Sequence, residues 1–177
     1  MNIIKKTFIN FFILTILMNP ITTKSQSLQT VPSVNLKKYS GKWYEIARLP
    51  NSFEKKLDLI TATYTVRKDG KIEVINKGYL IGDHSKSREA KGVAWIPDSN
   101  SPAKLKVRFF WPFSGKYWII ELDNDYQYAM VGHPSRNYFW ILSRNKNMDE
   151  DTYKKLLDNA AKKGFDVNKI IRVNQIL

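Results

Sequence analysis

The residues that could run acid–base chemistry in this chain are few: His84, His133, and two carboxylates, Glu45 and Glu121, on stretches with strand character. Two inward-facing carboxylates can work as acid and base, and burial would raise the pKa of either. The plainer reading of Glu45 is a buried acid hydrogen-bonded to neighbouring Tyr or Asn groups, or an acceptor for a ligand's polar end. His84 and His133 fall in turn-like segments, and no nucleophile-elbow pattern sets a Ser beside either. The 177 residues include no Cys, which removes disulfides, thiol nucleophiles and cysteine metal sites together. No His or carboxylate spacing resembles a metal ligand set. No catalytic residue, metal or cofactor is therefore assigned, and binding is the chemistry left.

The elements that must position a binding site are short stretches rich in β-branched and aromatic residues, separated by turn signals. They cover 43–48, 60–67, 72–79, 87–96, 104–110, 117–122, 126–132 and 138–144. Lys68-Asp69-Gly70-Lys71 is a tight hairpin signal, so the second and third strands pair antiparallel. In the fifth, Lys104, Lys106 and Arg108 alternate with Leu105, Val107 and Phe109, which gives one wet face and one apolar face. Eight successive strands with short links predict an all-β, up-and-down antiparallel barrel. One helix follows, capped by Asn147 with Glu150 at the reciprocal position. Tyr153, Leu156, Leu157, Ala160 and Ala161 form its apolar face against the barrel's outside. Residues 26–35 read as an extended lead-in, and 167–176 as a short edge strand.

The first residues read separately. Lys5 and Lys6 precede an apolar run over 8–18, Pro20 breaks it, and small residues follow near Ser25 and Ser27. That is the pattern of a cleaved export signal, and the run is shorter than the roughly 20 residues a membrane span needs. Residues 1–27 are thus expected to leave a domain over 28–177. The net charge of +13 becomes +10 once Lys5, Lys6 and Lys24 leave with the signal. Basic residues spread along an exported chain suit a solvated surface or anionic lipid head groups, not nucleic acid.

Gly41-Lys42-Trp43-Tyr44-Glu45-Ile46-Ala47-Arg48 resembles the first strand of a lipocalin. Asp125-Tyr126 before the seventh strand and Ile141-Leu142-Ser143-Arg144 at the end of the eighth occur in the expected order. Ile75-Asn76-Lys77-Gly78-Tyr79 and Gly164-Phe165-Asp166-Val167 narrow the resemblance to the bacterial lipocalins and their relative apolipoprotein D. The resemblance implies that Trp43 plugs the closed end and that Arg144 lies across its ring, with Gly41, Asp125 and Tyr126 completing the closure. Many bacterial members carry a lipid-bearing Cys after the signal. Residues 18–27 hold none, so the expected product is exported, periplasmic or secreted, and any outer-membrane association lacks that anchor.

Taking Trp43 as inward, strand parity and the family register set Glu45 and Ala47 inside the first strand. They put Ala62, Tyr64 and Val66 inside the second, and Ile72, Val74 and Asn76 inside the third. Ala90, Gly92 and Ala94 follow on the fourth, and Leu105, Val107 and Phe109 on the fifth. Tyr117, Ile119 and Glu121 come from the sixth, and Tyr138, Trp140 and Leu142 from the eighth. Small residues leave space while Tyr and Trp supply apolar walls with polar tips, which suits a fatty acid or lysophospholipid. The expected ligand contacts are Glu45, Ala47, Ala62, Tyr64, Val74, Asn76, Ala94, Val107, Phe109, Tyr117, Ile119, Tyr138 and Trp140. Two other readings stay open: a lipocalin-fold enzyme using Glu45 or Glu121, and a filled barrel serving as a surface-interaction module. The loops at Phe110-Trp111-Pro112-Phe113 and Leu49-Pro50-Asn51-Ser52-Phe53 suit peripheral membrane contact, gating, or packing on the rim, and leave room for a homodimer.

Overall fold

The computed structural model describes residues 27–176; the expected export signal lies outside the described residues except for Ser27. Nine strands follow the lead-in: β1 (Gly41–Arg48), β2 (Leu57–Val66), β3 (Ile72–Leu80), β4 (Asp83–Trp95), β5 (Lys104–Phe110), β6 (Phe113–Leu122), β7 (Tyr128–Gly132), β8 (Phe139–Ser143) and β9 (Ile171–Arg172). Each of β2 to β8 pairs with its sequence neighbour, β8 returns to β1, and β1 also pairs with β2. The result is a closed eight-stranded antiparallel barrel with one extra short strand. Local chemistry sets its hairpins: between β2 and β3, Gly70 takes φ 77°, and Asp69 Oδ1 accepts from the Lys71 amide at 3.1 Å.

A short helix, α1 (Leu36–Tyr39), lies between the lead-in and β1, over residues to which the sequence pattern assigns no element. Asn35 Oδ1 caps it, accepting from the Lys37 and Lys38 amides. The long helix, α2 (Glu150–Lys162), is capped by Asp149, whose Oδ1 accepts from the Thr152 amide at 2.8 Å. Asn147 is thus two residues too early to be the cap. β7 begins at Tyr128, not 126, because Asp123 Oδ2 accepts from the Asp125 and Gln127 amides and holds a turn there. The expected edge strand over 167–176 is reduced to β9, after a 3-10 turn at Val167–Lys169. β9 pairs with the upper part of β1, Ala47 to Arg172 and Arg48 to Ile171.

Two apolar layers result. Inside the wall lie Trp43, Ala62, Tyr64, Val74, Ala94, Leu105, Ile119, Val131 and Leu142. Outside it, Leu156 and Ala160 of α2 pack with Ile46, Ala47, Ile120, Met130, Phe139 and Ile141. Two β-bulges feed this outer layer. Glu45 pairs with Leu142 but Ala47 with Ile141, so Ile46 is an inserted residue. Likewise Ile119 pairs with Val131 but Glu121 with Met130, which makes Ile120 the insertion. A bulge reverses the in–out alternation beyond it. Ala47, expected inside, therefore lies in the outer layer, and Arg48 takes the inward position across from Trp140. Glu121 is also turned outward, where Asn159 of α2 donates to its carboxylate at 2.9 and 3.2 Å. The pairing of Glu45 and Glu121 as inward carboxylates does not occur.

Candidate functional site

The closed end is built around Trp43. Its ring is fully buried and its Nε1 donates to the Tyr39 carbonyl at 2.8 Å. The Arg144 guanidinium lies 3.8 Å from the ring centroid. It also donates to the carbonyls of Lys38 and Lys42 (2.8 Å), Ser40 (2.9 Å), Tyr39 (3.2 Å) and Tyr126 (3.3 Å). Gly41 sits at φ 94°, and a Cβ there would come within 3.3 Å of Arg144 Nη1, so both conformation and space favour glycine. Tyr126, at φ 59°, accepts at its hydroxyl from the Asn35 amide. Asp125 is exposed; Asp123, which the sequence reading passed over, organises that turn.

Above Trp43 the floor of the interior is a cluster of hydroxyls. Tyr117 from β6 stands 2.8 Å from both Tyr39 of α1 and Tyr64 of β2. Burial pushes all three phenols above their ordinary range. Tyr39 escaped the sequence reading because α1 is only one turn long.

Between floor and mouth, the register lays out rows of inward side chains across β2, β3 and β4. Tyr64, Val74 and Gly92 form one row, and Ala62, Asn76 and Ala90 the next; above them Gly78 pairs with Arg88. Along β4, Ala94 and Gly92 are buried while Ala90 and Arg88, on the same face, are exposed. On the neighbouring strand, β5, Leu105 is buried, and Val107 and Phe109 are half-buried. Gly92 makes this arrangement possible, since a Cβ there would lie 2.7 Å from the Phe109 ring. The exposure of Ala90 follows from the pairing. β3 and β4 match from Ile72–Ala94 up to Leu80–Asp83, but β4 and β5 share only Val93–Arg108, Ala94–Val107 and Trp95–Lys106. Above Val93 the wall parts.

A buried charge cluster lies beside the mouth. Arg48 Nη1 donates to Glu45 at 2.8 Å, its Nη2 donates to the Glu54 and Leu57 carbonyls, and its Nε is 3.9 Å from the Glu54 carboxylate. Glu54 also accepts from Asn51 and, at 3.1 Å, from Trp140 Nε1. Burial first, and repulsion from Glu54 second, raise the Glu45 pKa well above the carboxylate range against the pull of Arg48. Arg48 and Glu54 were not read as site residues: the bulge that turns Arg48 inward hides behind two adjacent apolar residues, Ile46 and Ala47. Tyr138 lies just outside β8, at the rim and not in the wall. It is 40% exposed and stacks on Trp140 at 6.1 Å and on Phe53 at 6.0 Å. Phe110, Trp111 and Phe113, at the tip of the β5–β6 hairpin, are 76–81% exposed. Among the described residues no cluster of His or carboxylates could hold a metal ion.

A wall sealed at one end, parted at the other and apolar between defines a barrel of the kind that holds one small molecule. The chain belongs to the lipocalin family: residues 34–175 match the lipocalin-like domain, and lipocalins are generally binding proteins for small hydrophobic ligands. It is 44% identical over 153 residues to the outer membrane lipoprotein Blc of Citrobacter freundii, covering 86% of each chain. It is 35% identical over 150 residues to mouse apolipoprotein D, covering 80% of this chain and 77% of the relative. Among solved structures, insecticyanin from the tobacco hornworm superposes with a TM-score of 0.66 at 25% identity, over 84% of this chain and 85% of the other.

Proposed function

We propose that this protein carries single-chain lipids, fatty acids or lysophospholipids, in the barrel interior and serves maintenance of the cell envelope. The observation that carries the reading is the gradient along one face of β4, from buried Ala94 to exposed Ala90. A solid core would bury both. An acyl chain entering there gains about 0.8 kcal/mol per buried methylene, and association and ordering costs take back a large share. The contacts would come from Ala62, Tyr64, Val74, Asn76, Ala94, Val107, Phe109, Tyr117, Ile119 and Trp140, with Tyr138 at the rim and Glu45 in the cluster beside the mouth. We read the role as carriage and not catalysis, because Glu121 is turned outward onto Asn159 of α2 and Glu45 is taken up by Arg48.

The relatives named as outer membrane lipoproteins support an exported protein working at the envelope. Peripheral contact would run through Phe110, Trp111 and Phe113, and the same aromatic tip is the surface available to a homodimer. Native mass spectrometry and quenching of Trp fluorescence, with oleate and a lysophosphatidylcholine, test the reading. Saturable one-to-one binding is expected, weakened at least tenfold by Ala62→Trp. A folded protein that takes up neither lipid would leave the barrel a surface-interaction module.

A further inference from the structure

Two arginines occupy inward positions of the described wall, and they differ in what they hold. Arg48 is committed to Glu45, to Glu54 and to two carbonyls. Arg88 sits opposite Gly78, is exposed, and makes no hydrogen bond, ion pair or ring contact among the described residues. A guanidinium is always charged and carries five donors, so one left unspent at the mouth of a binding barrel is a site for an anion. One row deeper lies Asn76, whose Oδ1 is buried with no hydrogen-bond partner. It is flanked in its row by Ala62 and Ala90, whose side chains are single methyls with no donor to offer the amide oxygen. A buried acceptor without a donor is costly, and a plain hydrocarbon laid against it would not relieve that cost.

We propose that Arg88 and Asn76 form a two-point subsite for an anionic single-chain lipid that carries a hydroxyl close to its charged end. Arg88 takes the carboxylate or phosphate, and Asn76 Oδ1 accepts from the hydroxyl. The rows are two residues apart, about 6.6 Å along the strand, so the hydroxyl belongs three to five carbons from the head. The buried cluster does not compete for the head group, because the Arg48 guanidinium is already taken up by Glu54, by a hydrogen bond to Glu45 and by two carbonyls. The inference rests on the carrier reading and narrows it to a class of ligand.

The test compares myristate with 3-hydroxymyristate and 5-hydroxymyristate by Trp quenching and native mass spectrometry. One hydroxylated isomer is expected to bind about three- to tenfold more tightly than myristate, the gain from one buried hydrogen bond. Asn76→Val should abolish that preference, so that all three acids bind that variant alike. Ala90→Ser, which offers Asn76 a hydroxyl from the protein, should abolish it too in a chain whose unfolding midpoint is unchanged. Arg88→Gln should weaken all three acids about tenfold at low salt and leave methyl myristate unaffected. Equal binding of all three acids, or a preference that survives Asn76→Val, overturns the subsite and leaves the carrier standing. Failure to bind any of them overturns both.

Discussion

The two ends of the barrel are built from similar materials and use them in opposite ways. Both are rich in aromatic rings and both hold an arginine. At the closed end Trp43 is wholly buried and Arg144 is saturated by five carbonyls and the indole face. At the open end Phe110, Trp111 and Phe113 project into solvent, and Arg88 has no partner among the described residues. Stability is concentrated where polar groups are satisfied. Recognition is available where they are not.

The largest effect expected from breaking that contrast is at the closed end. Trp43→Ala should cost about 3–5 kcal/mol, a large share of a domain's total stability of roughly 5–15 kcal/mol, read as the shift in urea unfolding. A cost under 1 kcal/mol would mean the plug does not hold the fold. A smaller, pH-dependent effect is expected beside the mouth. Glu45 has a folded-state pKa above its unfolded value, so its contribution is full below the ordinary carboxylate range. It is lost as pH climbs through the raised value. Glu45→Gln, which keeps an acceptor for Arg48, should therefore match the native unfolding midpoint near about pH 4 and exceed it increasingly towards pH 8. A constant difference across that range would show that Glu45 is not held in its acid form. The smallest stability effect belongs to the rim. Trp111→Ser with Phe113→Ser should change unfolding by no more than about 0.5 kcal/mol, yet reduce co-sedimentation with phosphatidylglycerol vesicles. Unchanged vesicle binding would detach the rim from any membrane role.

Much of the wall was legible because its signals are local. The β-branched and aromatic runs, the Asp69-Gly70 hairpin and the alternation over Lys104–Phe110 each need only neighbouring residues. The bulges were not legible, because their inserted residues leave the apolar pattern unmarked: Ile46-Ala47 and Ile119-Ile120 read the same with or without a slip. That ambiguity placed Ala47 and Glu121 on the wrong face and concealed Arg48. In the site, parity put Asn76 and Ala90 on one face, but the exposure of Ala90 and Arg88 depends on β4 and β5 parting. Pairing across strands decides that, and no single segment encodes it. Glu54 reaches Arg48 and Trp140 from a loop, where periodicity carries no information.

The Arg144 contacts also bear on how the chain reaches this state. Its guanidinium ties residues 102–106 positions earlier in the sequence, and Tyr44 of β1 pairs with Ser143 of β8. During synthesis or translocation, one edge of β1 waits unpaired until about a hundred later residues have emerged. A loop of that length closes late, and contacts of such high order slow folding. The chain therefore passes through a sheet with two open edges, each a template for intermolecular pairing, before β8 arrives. Yield on refolding should fall with protein concentration, because the weld that makes the finished barrel durable joins segments about a hundred residues apart.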